Sequence, residues 1–150
     1  VAMIWPLGYW ERQRPLFPPE GRMTLEKFMA RYQHLPLYQE AYGFSREIYR
    51  LKLKLPKDLK HDLGSLTFQA TLRCIRCIVF ANGLKIKQKP LQTLLLEIEM
   101  LWSYLRLLHD LRGISRGEFQ VLTERLESIS KQAQAWQKWE MKLHARNPVV

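Results

Sequence analysis

From Leu59 to Gly83 the apolar residues recur every three or four positions: Leu59, Leu63, Leu66, Ala70, Cys74, Cys77 and Ala81. A second row, Phe68, Leu72, Ile75 and Val79, widens the stripe, while Asp62, Ser65, Gln69, Arg73 and Arg76 fill the opposite arc. This is the period of an amphipathic helix and not of a strand. At 1.5 Å per residue it predicts a rod about 35 Å long. Asn82-Gly83 supplies the expected stop, with Gly83 entering the left-handed conformation that closes helices. A rod of this kind has to bury its stripe, and three further helical patterns provide the surfaces.

The first of these starts near Leu37, with Leu37, Ala41, Phe44, Ile48, Leu51 and Leu55 inward, and Pro56 ends it. Another follows Pro90, which suits a first helical turn because its missing N–H costs nothing there. Its inward face is Leu94, Leu95, Ile98, Leu101, Trp102, Leu105 and Leu108. Leu96, Met100, Tyr104, Leu107 and Leu111 cover much of the remainder. One core cannot bury both faces, so the second predicts a contact with another subunit, centred on Leu96, Met100, Tyr104 and Leu107. After the break at Gly113, Ser115 and Glu118 match a capping box. The last helix then turns Phe119, Leu122, Leu126, Ile129, Ala133, Trp136 and Leu143 inward and frays near Asn147-Pro148.

Short connections force neighbouring helices to run in opposite directions. The expected fold is therefore all-α: an up-down antiparallel four-helix bundle over residues 37–147, able to form a homo-oligomer. Residues 1–36 precede it as an irregular Pro-rich extension. Four of the eight prolines fall in its first 22 residues, and Thr24 caps a short helix from Leu25 to Gln33. The opening VAMIWPLGYW is apolar but lacks a basic flank and is interrupted by Pro6 and Gly8, so neither a signal peptide nor a membrane span is expected.

Charge changes the picture. The 150 residues carry a formal net charge of +10, which favours an anionic partner such as nucleic acid. Arg46, Arg50 and Lys54 repeat at i, i+4 on the first long helix, a spacing at which like charges repel. Lys57 and Lys60 extend this group through the next turn, and Lys52 lies beside it. Arg73 and Arg76 lie on the polar arc of the next helix, and Lys85, Lys87 and Lys89 fill the loop at its far end. All ten outside Lys52 are candidate phosphate contacts, against the plainer reading of a solvated surface.

Catalytic and metal chemistry find little support. Cys74 and Cys77 form a C-x-x-C pair with no second pair and no nearby His, which fits two small core residues better than a zinc or redox site. Unpaired thiols are consistent with a reducing cytoplasm. His34, His61, His109 and His144 are scattered over different elements, and Glu97 lacks the E-x-x-H partner of a di-iron bundle. No Gly-rich phosphate loop or nucleophile elbow occurs, so a non-enzyme without cofactor is expected.

The segment from Tyr38 to Trp139 resembles the bacterial four-helix-bundle family that contains the 23S ribosomal RNA intervening-sequence proteins and the accessory variability determinants (Avd) of diversity-generating retroelements. Y-Q-E-A-Y-G-F-S-R-E-I-Y-R in the first helix, the lysine-flanked Pro56 turn, L-W-S-Y-L-R-L-L-H-D-L and the closing A-W-Q-K-W carry the likeness. The aromatic run and terminal A-W favour the Avd branch. The intervening-sequence branch would place an S-I-x-x-N-I-A-E-G-like stretch where this chain has C-I-V-F-A-N-G. The resemblance implies a pentameric barrel of bundles without an active site. It would bind the retroelement's reverse transcriptase and its template RNA, and possible DNA products, during mutagenic cDNA synthesis. A ribosome-associated RNA-binding bundle and a purely structural oligomer are the competing expectations.

Overall fold

The structure is a computed structural model and describes Tyr32 and residues 35–146. The expected extension over residues 1–22, the rest of the short helix before Tyr32, His34 and Asn147-Pro148 lie outside the described residues. Among the described residues four long helices make the fold: α1 (Pro36–Lys54), α2 (Lys57–Gly83), α3 (Gln88–Asp110) and α4 (Arg116–Arg146). Each packs on two neighbours in the cyclic order α1, α2, α3, α4. Directions alternate: Glu40 of α1 accepts from Ser128 and Gln132 of α4, whereas Gly43 lies against Arg125.

α1 begins on Pro36, one residue earlier than the periodicity predicts. Its fixed φ suits the first helical position, and no intrahelical N–H bond is lost there. Its expected stripe is buried in full. At the start of α4 the capping box is complete. Ser115 Oγ accepts from the Glu118 N–H at 3.1 Å, and the Glu118 carboxylate accepts from the Ser115 N–H at 2.9 Å.

α2 departs from the simple period. It starts at Lys57, and residues Lys60–Gly64 form a π-helical turn. Ala70, Cys74, Cys77 and Ala81 are buried as expected, but the wider turn alters the positions around them. Leu66 and Leu72, expected inward, are exposed, and Thr67, Thr71 and Ile78 are buried in their place. The two threonines tolerate the core because each hydroxyl donates to a carbonyl of its own helix, Leu63 and Phe68 respectively. Gly64 belongs to this turn. A Cβ there would stand 2.9 Å from Leu55 Cδ1 and 3.0 Å from the Leu59 carbonyl.

Two helix ends also differ from expectation. Gly83 remains helical, and the chain leaves α2 at Leu84 in extended backbone (φ −92°, ψ 147°). The left-handed residue is instead Arg112 after α3, with φ 61°. The Gly113 N–H reaches back to the Leu108 carbonyl at 2.7 Å and closes that end. Leu143, expected inward on α4, is 37% exposed, and Glu140 occupies the buried register.

Cys74 and Cys77 are unpaired and buried, as packing residues should be. Burial pushes the Cys77 thiol up to about 11 and Cys74 higher still, so neither is poised as a thiolate. By length and composition Lys57–Gly83 passes for a membrane span, with a hydropathy of 1.2, but α1 and α3 pack along it.

Candidate nucleic-acid interface

On α1, Tyr42, Arg46, Tyr49 and Arg50 fall at i, i+4, i+7 and i+8, which is one helical face. On α2, Phe68, Leu72 and Ile75 face the same gap. Together these residues line a shallow groove of about 420 Å³, with the buried Ser45 at its floor. Ser45 spends its hydroxyl on the Ala41 carbonyl and leaves the floor without a free donor. Tyr42 is 49% exposed and Tyr49 44%, large values for aromatic rings. The Tyr49 and Phe68 rings lie 5.2 Å apart at 59°, so the groove offers tilted π-faces beside guanidinium groups. Lys52 Nζ lies 5.9 Å from the Tyr49 ring centroid.

Such a surface can do two things at once. Guanidinium groups bind phosphates bidentately without regard to sequence. Aromatic faces stack on unpaired bases, at about 1–3 kcal/mol per base. Duplex bases keep their faces inside the helix, so a combination of this kind suits single strands better than duplexes.

The ten candidate phosphate contacts do not share one surface. Arg46 and Arg50 belong to the groove, though Arg50 also pairs with Glu47 at 2.7 Å in the exposed position. An exposed pair of this kind is worth about 0–1 kcal/mol and yields readily to a phosphate. Lys54 turns to the other side of α1. There a smaller groove of about 310 Å³ includes Arg50 and the acidic Glu47 and Glu118. Lys57 and Lys60 stand at the first turn of α2, near the same end of the bundle. Among the described residues, Arg46, Lys54, Lys57, Lys60, Lys85 and Lys89 have no ion-pair partner.

Arg73 is exposed but pairs across the helix interface with the more buried Glu97 of α3. Arg76 lies over the Phe80 ring, 5.2 Å from its centroid. Lys85 and Lys89 are exposed at the opposite end. Lys87 is not available to phosphate. Its ammonium donates to the carbonyls of Ala81 (2.8 Å), Asn82 and Leu84, where α2 leaves its last acceptors unpaired. Burial pulls this amine down to about 8, against an opposing pull from Glu140.

The outer side of α3 is as apolar as its sequence implies. Leu96 (61% exposed), Met100, Leu107 and Leu111 point outward, while Tyr104 is half-buried against the core. Among the described residues no group of three or more His, Cys, Asp or Glu side chains could hold a metal ion.

Periodicity alone missed Tyr42, Tyr49 and Phe68 as groove residues. The signal was present in the first helix, where the two tyrosines interleave with the two arginines at helical spacing. Phe68 was hidden, because it reads as one more apolar residue of the α2 stripe.

No protein-family model, no curated protein and no solved structure matches this chain.

The Lys87 cap carries a pH signature. The unfolded amine titrates near 10.5 and the folded one near 8, so between these values the unfolded chain binds more protons. Stability conferred by Lys87 therefore rises with pH across that window, by on the order of 3 kcal/mol at most. Denaturant unfolding of the wild type and Lys87→Met from pH 7.5 to 10 should show the wild type gaining relative to the variant. A difference that stayed flat would refute the buried, charge-bearing cap.

Proposed function

We propose that this chain is a non-catalytic accessory protein of a diversity-generating retroelement. In this reading it holds template RNA or its cDNA and the retroelement's reverse transcriptase together, as a homo-oligomer of the pentameric Avd type. The groove of Tyr42, Arg46, Tyr49 and Arg50 against Phe68 carries the nucleic-acid part. A single-stranded template fits both its stacking faces and its charges. The outward apolar face of α3 supports the oligomer, because a contiguous row of this kind is what subunit contacts cover. The resemblance of residues 38–139 to the Avd branch supports the retroelement assignment. A ribosome-associated bundle would share the groove but need no reverse transcriptase.

Two pairs of substitutions separate charge from stacking. Arg46→Gln with Arg50→Gln should flatten the log–log salt dependence of single-strand binding by about 1.4, since each neutralised phosphate contributes about 0.7. Tyr42→Ala with Tyr49→Ala should weaken binding by about 1–3 kcal/mol per lost stack and leave that slope unchanged. Wild-type affinity and slope in both variants would move the site elsewhere, with Lys85 and Lys89 next in line.

The oligomer has its own test. Light scattering of the wild type should give a multiple of 17.9 kDa, and Leu96→Glu with Leu107→Glu should return the protomer. A wild type that scattered as a monomer at micromolar concentration would remove this part of the reading.

A further inference from the structure

The stripe of α4 runs Leu122, Leu126, Ile129, Ala133 and Trp136, and its next buried position is a charged residue, Glu140. Glu140 is 4% exposed, and among the described residues neither carboxylate oxygen has a hydrogen-bond partner. His144, one turn on, brings Nε2 to 3.4 Å from a carboxylate oxygen, and that nitrogen also makes no hydrogen bond among the described residues. Lys87 acts on Glu140 through space, but its ammonium is spent on the carbonyls that end α2. A buried carboxylate without donors costs several kcal/mol, so a chain that keeps one at a core register has a use for it.

Glu140 and His144 line a cleft of about 760 Å³ between α4 and the start of α3, with the carboxylate oxygens and Nε2 themselves buried. Ile86, Leu91 and Met141 give it apolar walls, and Gln88, Gln92 and Gln137 add amides. That size accommodates a whole small organic molecule. A metal suits the site poorly, because no third His, Cys, Asp or Glu joins the pair among the described residues.

We infer that this cleft binds a small organic cation, an amine or guanidinium carried on a hydrocarbon or aromatic body. The ligand's N–H groups draw the buried carboxylate of Glu140 round to the cleft and donate to it, and its body lies on Ile86 and Met141. The inference is independent of the nucleic-acid reading, since no residue of the α1–α2 groove takes part. Lys85 and Lys89, exposed on the neighbouring loop, disfavour a multiply charged ligand and point to a monocation.

Calorimetric titration of the full chain with tryptamine at neutral pH tests this, with indole-3-propionate as a similar ring of opposite charge. Tryptamine should bind saturably, and indole-3-propionate should neither bind nor compete. Glu140→Gln, which keeps the shape, should weaken tryptamine roughly tenfold or more. Met141→Arg, at an exposed wall position, should weaken it while leaving the buried carboxylate untouched. Absence of saturable binding at millimolar tryptamine would overturn the inference, as would equal affinity in Glu140→Gln. A Glu140→Gln variant that altered oligomeric state with tryptamine affinity unchanged would assign the carboxylate to a subunit contact instead.

Discussion

Leu91, Leu94, Ile98, Leu101, Leu105 and Leu108 lie on one face of α3 and are all but sealed from solvent. Burying each is worth about 1.5–3 kcal/mol, more than any surface ion pair in the molecule contributes. The other helices are placed by this face. α2 and α4 flank it, and α1 closes the ring against both of them. Because α3 must turn these six residues inward, Leu96, Leu107 and Leu111 must turn outward. The apolar outer face is thus a geometric consequence of the core helix and not a separate decoration.

The same constraint separates two surfaces. α3 directs its spare apolar area outward, with Glu99, Arg106 and Asp110 exposed on the same helix. The α1–α2 side keeps its aromatics half in water beside Arg46 and Arg50. Neither the charges nor the rings would suffice alone. Guanidinium groups on a plain helix bind any polyanion, and tyrosines without them bind nothing over distance. Their interleaving on one face is what supports the proposal of a single-stranded partner.

The fold was legible because its elements are strongly periodic. The α1 stripe, the two apolar sides of α3 and the Ser115–Glu118 box all follow from residue spacing. On α2 the stripe of Leu63, Ala70, Cys74, Cys77 and Ala81 was legible, but the π-helical turn at Lys60–Gly64 has no period to read, and beside it Thr67 is buried where Leu66 was expected. Charge counting could not say which cations are free. Lys87 and Arg73 look like their neighbours in sequence, yet one caps α2 and the other pairs with Glu97, contacts that exist only in three dimensions. Glu140 could have been found by extending the α4 register one step beyond Trp136. A stripe drawn from apolar letters alone passes over it to Leu143.

On the proposed function, nucleic acid lies in the groove between α1 and α2. Ultraviolet cross-linking of the full-length protein to a uridine-rich single strand, followed by peptide mass spectrometry, tests it most directly. Adducts should concentrate on Tyr42, Tyr49 and Phe68, and an excess of unlabelled single strand should abolish them where duplex does not. Adducts confined to the opposite end, around Trp139 or the loop that carries Lys85 and Lys89, would contradict the account.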